Sequence, residues 1–224
     1  MSTDLRNAWQ TLINADDYER HMAAVGQAEA NALLVRDYFA HTPLPPEAKI
    51  LFLGAGAGQM FDYISPEFLR PYRTTFTDLN LTYLERLHRR IHNYPGLRFE
   101  IVTDDIEQTR LQPGYFAIVA VLLLEHVDWR KAVPAICSLA PQKILTVIQQ
   151  NANGAAAALT SSRSVPGTMN IFREIHPGLL SPDQLEGKML TGGFSAGYLA
   201  ERGVPDGKKM VALGFQRRKN SAAQ

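Results

Sequence analysis

Hydrophobic positions along the 224 residues follow three patterns in turn. Up to about residue 42 they recur at helical spacing. Trp9, Leu12 and Ile13 make one set; Tyr18, Met22 and Val25 make a second, with Asp16 or Asp17 as its cap; Leu33, Leu34 and Tyr38 make a third. Pro43-Leu44-Pro45-Pro46 then breaks the helix, so residues 1–46 read as a helical cap in front of a core at 47–220. From Lys49 short apolar runs alternate with helical stretches. Strands are predicted over 49–54, 73–78, 97–102, 115–123 and 143–149, and helices near 59–70, 80–93, 129–138 and 181–192. A run such as Ile118 to Leu124 is continuously apolar, which implies burial on both faces and a parallel sheet covered by helices. In the third pattern, 194–202 and 208–216 flank Gly203-Val204-Pro205-Asp206-Gly207, a turn signal that predicts a closing antiparallel hairpin. The fold class is α/β, with seven strands in a mostly parallel sheet.

One stretch, Asn151 to Pro177, has no regular pattern. A long loop in a compact domain is usually functional or disordered. It follows the fifth strand and so reads as a lid above the carboxyl ends of the sheet.

Composition narrows the function by exclusion. A formal net charge of +1 gives no whole-protein field for nucleic acid or an anionic membrane. The basic runs Arg86-Leu87-His88-Arg89-Arg90 and Arg217-Arg218-Lys219 read as a solvated helix face and a tail. Cys137 is the single cysteine, which argues against a disulfide framework or thiolate metal cluster and for a reducing cytoplasm. The longest apolar run, Phe116 to Leu124, is nine residues, far short of the roughly 20 that span a bilayer. No signal peptide is visible at the N-terminus, and the scattered histidines form no metal set. A monomer or homodimer with a small-molecule partner is the expectation.

The candidate chemistry begins at Ile50-Leu51-Phe52-Leu53-Gly54-Ala55-Gly56-Ala57-Gly58-Gln59. An apolar run ends in three glycines spaced two apart, and Asp78 closes the next predicted strand. A strand, a glycine turn, a helix and a strand ending in a carboxylate form half of a nucleotide-binding crevice. A dinucleotide fingerprint needs glycine where Gln59 stands. Gly54-x-Gly56-x-Gly58 instead resembles the first motif of class I S-adenosylmethionine-dependent methyltransferases, and the resemblance extends across about 49–216, including the hairpin. It implies a Rossmann-like fold with S-adenosylmethionine as cofactor. It also implies Asp78 on the ribose with Leu79 beside the adenine. Thr103-Asp104-Asp105-Ile106 looks like the adenine site, with Asp105 and Ile106 favoured and Asp104 a rival that equally suits a helix cap. Leu123-Leu124-Glu125-His126-Val127 resembles the segment lining the methyl-donor pocket, which brings in Leu124. Asp17-Tyr18-Glu19-Arg20-His21-Met22 looks like the N-terminal cap of small-molecule methyltransferases; Tyr18 and His21 share a helical face that either meets the sulfonium or packs on the core.

His126, at the end of the central strand, is the candidate general base, with a structural histidine as the bland reading; His176 is the second candidate. Gln150 and Asn151 follow the fifth strand and are placed to orient an acceptor, and Tyr18 completes the catalytic set. The leading expectation is methyl transfer to a small molecule in a capped pocket. A second is intramolecular cyclisation or lysis of the cofactor, as in azetidine-2-carboxylate synthases, with Tyr18 and Phe172 as aromatic faces and methylthioadenosine released. A third is a non-catalytic cofactor-binding module that regulates a partner.

Overall fold

A computed structural model of the chain describes residues 3–151, 167–175, 178 and 180–219. Seven strands form one sheet: β1 (Lys49–Leu53), β2 (Arg73–Asp78), β3 (Arg98–Thr103), β4 (Ala117–Val121), β5 (Lys143–Gln150), β6 (Phe194–Gly203) and β7 (Lys209–Arg217). Their spatial order is β3-β2-β1-β4-β5-β7-β6. The first five are parallel, and β7 runs antiparallel to both β5 and β6. Chain order reverses between β1 and β4, and a crevice opens there beyond the carboxyl ends of the strands.

Two cores sandwich the sheet. On one face Ile50, Phe52, Val119 and Leu145 meet α3 (Gln27–His41) through Leu34, Val35 and Tyr38, and α4 (Leu81–Ile91) through Leu84 and Leu87. On the other, Leu51, Leu53, Ile118 and Ile144 meet α5 (Trp129–Ser138) and α6 (Pro182–Thr191). Burial on both faces is what the continuous apolar runs require. A third cluster does not belong to the sheet. Leu5, Ala8, Ile13 and Ala15 from the N-terminus meet Ala57, Tyr83, Met169 and Phe172. This cluster seats the cap, made of α1 (Thr3–Asn7), a π turn at Ala8–Leu12 and α2 (Ala15–Ala24), over the crevice.

Two expectations change, and a third falls largely outside the described residues. Residues 59–70 are not one helix but two 3-10 turns, Gln59–Asp62 and Pro66–Leu69. Pro66 has no N–H and drives Ser65 to extended backbone (ψ 132), where its hydroxyl accepts from the Glu67 amide. The cap of α2 is Asn14, whose side chain accepts from the Asp16 amide at 2.7 Å, not Asp16 or Asp17. The predicted lid lies outside the described residues over 152–166 and at 176–177; its described part, Gly167–Arg173, is a 3-10 turn over the crevice. Among the described residues no helix is long and apolar enough to cross a membrane.

Candidate active site

The floor of the crevice is the glycine turn. Gly54, Gly56 and Gly58 all adopt left-handed backbone, with φ of 60, 58 and 75, a region that glycine enters without steric cost. Asp78 leaves the end of β2 and braces the turn. One carboxylate oxygen accepts from the Gly56 amide at 2.9 Å and the other from the Asn80 amide at 2.9 Å. Burial pushes the Asp78 carboxyl up to about 6, against the pull of the Asn80, Gly56 and Leu79 amides. Each oxygen keeps a second lone pair for a ligand hydroxyl.

The cap is fastened at the start of α4. Asn80 caps that helix and also donates to the Trp9 carbonyl at 3.0 Å. The Tyr83 hydroxyl donates to the Ile13 carbonyl at 3.1 Å. Tyr18 stacks on Tyr83 at 5.5 Å and 12°, with its ring edge over Gly56. Burial first, and the Asp78 charge second, push the Tyr18 phenol well up, so it stays a neutral hydroxyl. The same cap grips the lid segment. Buried Asp17 accepts from the Thr168 amide at 2.8 Å and its hydroxyl at 2.7 Å, while Thr168 accepts from the Asn14 amide. These bonds, led by the Thr168 amide, hold the Asp17 carboxyl below its ordinary range.

The far wall comes from the exits of β4 and β5. Leu122 turns at φ 51, a left-handed conformation that non-glycine residues pay strain to adopt. The turn breaks the in-out alternation of β4 and lays Leu122, Leu123, Glu125 and His126 along the cavity. Glu125 is 2% exposed. One of its oxygens accepts from the Gln149 amide at 2.5 Å, and the other is buried with no partner among the described residues. Gln149 in turn takes a hydrogen bond from Gln27 at 2.8 Å and donates one to Asn151 at 3.1 Å. Trp9 stands edge-on to His126 (4.8 Å, 75°) and Tyr18 (5.3 Å, 86°), and tilted against Phe172 (5.4 Å).

Burial alone takes the His126 imidazole down to about 4, leaving it neutral at physiological pH. Burial raises Glu125 to about 7 from an ordinary 4.5. Glu125 therefore stabilises the fold fully below about pH 4.5, and this contribution is lost as pH rises through about 7. His126 has the opposite sign, with a contribution present above about 6.5 and lost as pH falls toward 4. Glu125→Gln is neutral at every pH. By scanning calorimetry it is expected to melt above wild type near pH 8.5, by at most about 3 kcal/mol, with little difference near pH 4.5. An unchanged difference between the two pH values would contradict the buried placement.

Of the residues expected at the site, Gly54, Gly56, Asp78, Leu79, Asp105, Ile106, Tyr18, His21 and His126 all line one cavity. Four do not. Gly58 packs on α4, since a Cβ there would lie 2.4 Å from Leu87 Cδ1. Leu124 is 1% exposed within the core shared with α5. Gln150 projects from the strand face opposite Gln149, and Asn151 sits behind Gln149, so Gln149 holds the wall position expected of them. His176 lies outside the described residues. Asp105 takes the helix-cap role considered for Asp104, accepting from the Glu107 amide at 3.0 Å, and also pairs with Arg6 at 2.7 Å. Asp104 accepts from the Arg110 amide and keeps one buried oxygen without a partner among the described residues. Additional wall residues include Trp9, Tyr83, Glu125, Gln149 and Met169. Glu125 was within reach of sequence reasoning, because it adjoins His126 in the same motif. Trp9 and Tyr83 gave only the signal of ordinary helix packing, Gln149 closed a predicted strand, and Met169 lay in the stretch without a regular pattern.

The wall suits an adenosyl sulfonium. It offers a carboxylate braced on a glycine turn, apolar Leu79 and Ile106, and buried polar atoms on Asp104, Glu125 and His126 with no partner among the described residues. Residues 50–141 match the model of a family described as a methyltransferase domain. No curated protein matches the sequence. Similar solved structures include magnesium protoporphyrin IX methyltransferase from Synechocystis PCC 6803 with bound S-adenosylhomocysteine (14% identity, 86% of this chain and 84% of that chain, TM-score 0.62). A putative sarcosine dimethylglycine methyltransferase from Galdieria sulphuraria is also similar (12%, 84% and 84%, 0.63). So is geranyl diphosphate C-methyltransferase from Streptomyces coelicolor A3(2) (12%, 84% and 78%, 0.61). Residues 50–141 thus match a methyltransferase-domain family, and the seven-stranded sheet around them has the Rossmann-like fold of the methyltransferase structures that it resembles.

Proposed function

We propose that the protein transfers the methyl group of S-adenosylmethionine to a small molecule held between the cap, the lid segment and the ends of β4 and β5. The observation that carries this is the placement of Asp78 and the glycine turn at the floor of a cavity roofed by the protein's own N-terminus. The cofactor supplies an activated methyl group on a sulfonium. Asp78 receives the ribose hydroxyls, Leu79 and Ile106 flank the adenine, and Asp105 or Asp104 accepts from its amine. Tyr18, His21 and Met22 stand over the other end, where a phenol face and a soft thioether suit a cation. His126 is a neutral hydrogen-bonding group beside the acceptor, and Asn151 acts by orienting Gln149.

The structural relatives act on chemically unrelated molecules, a metalloporphyrin and a prenyl diphosphate among them, so the acceptor follows from this cavity and not from them. The roof formed by Trp9, Met169 and Phe172 favours a molecule small enough to be enclosed. Lack of a basic field favours a partner other than nucleic acid, and the lone cysteine favours a reducing cytoplasm. Incubation of the full chain with S-adenosylmethionine alone is expected to leave it intact. Addition of a deproteinised small-molecule extract is expected to yield S-adenosylhomocysteine. Methylthioadenosine appearing without extract would overturn methyl transfer in favour of cyclase or lyase chemistry. Tight binding without turnover under either condition would point to a regulatory module.

A further inference from the structure

The cavity wall carries one sign of charge. Among its described residues are Asp78, Asp104, Asp105 and Glu125, and no lysine or arginine. Most of these carboxylates have work inside the chain. Asp78 is spread over two backbone amides, and Asp105 caps a turn and pairs with Arg6. Asp104 keeps one buried oxygen as well, but it stands at the adenine end proposed above; Glu125, beyond the end of β4, is 2% exposed, one oxygen is held by the Gln149 amide, and the other has no partner among the described residues. The neighbouring histidines bring no compensating charge, because burial lowers both His21 and His126. An unpaired buried carboxylate is costly unless it meets a proton or a cation. The same cavity is lined by Trp9 and Phe172, tilted against each other at 5.4 Å, and by Tyr18 in T-shaped contact with Trp9; aromatic rings attract a cation at their faces and give nothing to an anion there. An acceptor bearing a carboxylate or phosphate at this end would face like charge in a site of low dielectric.

We propose that the acceptor is a small amine, which enters as an ammonium and seats its nitrogen between the free oxygen of Glu125 and the aromatic faces of Trp9 and Phe172. This rests on the methyltransferase reading and extends it to a substrate class and a base. Glu125 takes one proton from the ammonium, which frees the nitrogen lone pair. That lone pair forms the new N–C bond to the methyl carbon as the C–S bond breaks, and the bonding electrons remain on sulfur. The products are a methylated ammonium and S-adenosylhomocysteine, and Glu125 passes its proton to water as they leave.

The test is calorimetry on the full chain saturated with S-adenosylhomocysteine, titrated with benzylamine, benzyl alcohol and benzoate, which share a ring and differ in head group. Benzylamine is expected to bind about tenfold or more tighter than the alcohol, with no heat from benzoate. Glu125→Gln is expected to bring the amine to within about threefold of the alcohol. Trp9→Leu provides an independent variant should Glu125→Gln not fold, and is expected to weaken the amine by about tenfold and the alcohol much less. Equal affinity for the three probes, tighter benzoate, or no heat with benzylamine overturns the proposal. Failure of S-adenosylhomocysteine itself to bind would instead remove the methyltransferase reading beneath it.

Discussion

Gly56→Val is expected to abolish binding of S-adenosylhomocysteine, with affinity falling by roughly a hundredfold or more, a loss of about 3 kcal/mol. The cause is conformational before it is steric. A Cβ at this position would meet only ordinary contacts, the nearest 3.5 Å away on Tyr18, so the site has room for it. The backbone does not permit it, because φ is 58 and a β-branched side chain is a severe outlier there. Relief of that strain rotates the Gly56 amide away from Asp78, and the turn and its carboxylate lose register together. The larger side chain also stands between the ligand and the backbone. Calorimetry with S-adenosylhomocysteine measures the loss, and circular dichroism shows whether the sheet survives. Near-normal affinity in a folded variant would mean that the ligand does not lie on this turn.

Asp78→Ala is expected to weaken the same ligand by about 1–3 kcal/mol for each charge-assisted hydrogen bond removed, which amounts to one to several orders of magnitude in Kd. Two causes act together. The ribose loses its acceptors, and the Gly56 and Asn80 amides lose the oxygens that hold the turn and the start of α4 in place. Asp78→Asn separates them. Its single amide oxygen accepts from one backbone N–H but not both, so the variant is expected to fall between wild type and alanine. Because Asn80 also holds the Trp9 carbonyl, the alanine variant is expected to loosen the cap as well, seen as brighter or red-shifted tryptophan emission. Equal binding by all three proteins would remove Asp78 from the site.

Those two residues were legible in the sequence because their signals are local. Three glycines after an apolar run, and a carboxylate closing the next strand, sit within thirty positions of one another. The sheet was legible for a related reason. Strands such as β4 and β5 are covered on both faces and so stay apolar residue after residue. The misread parts depend on contacts between distant segments or on a single backbone angle. Leu124 was expected in the cavity, but the left-handed turn at Leu122 resets the alternation, so Leu123 lines the wall while Leu124 enters the core. Gly58 reads as the third ligand-facing glycine, yet Leu87 comes from thirty residues away to occupy the space beside it. Trp9 has the spacing of an ordinary amphipathic helix, and nothing near it in sequence foretells that Asn80 and Tyr83 will draw its segment over the crevice. Glu125 adjoins His126 in one motif, but its burial and its bond to the Gln149 amide arise from the pairing of β4 with β5. Tertiary context decided each of these.

The cap deserves its place in the functional account for the same physical reason. It has its own small core, and its polar fastenings go to α4 on one side and to Thr168 on the other. It therefore closes the site without joining the sheet. Arg86 and Arg90 of α4 add ion pairs to Asp16 and Glu19 along its outer edge. Such exposed pairs are screened by solvent and contribute little, so the buried hydrogen bonds and aromatic contacts dominate. The floor of the site lies within the residues that match the methyltransferase-domain family, and its roof comes from the N-terminal segment and Gly167–Arg173.

The most direct test of the central claim is a calorimetric titration of the purified full chain with S-adenosylhomocysteine and, separately, with a nicotinamide dinucleotide. An adenosyl ligand seated on Asp78 and the glycine turn predicts saturable one-to-one heat from the first and none from the second. Heat from the dinucleotide alone would contradict the account.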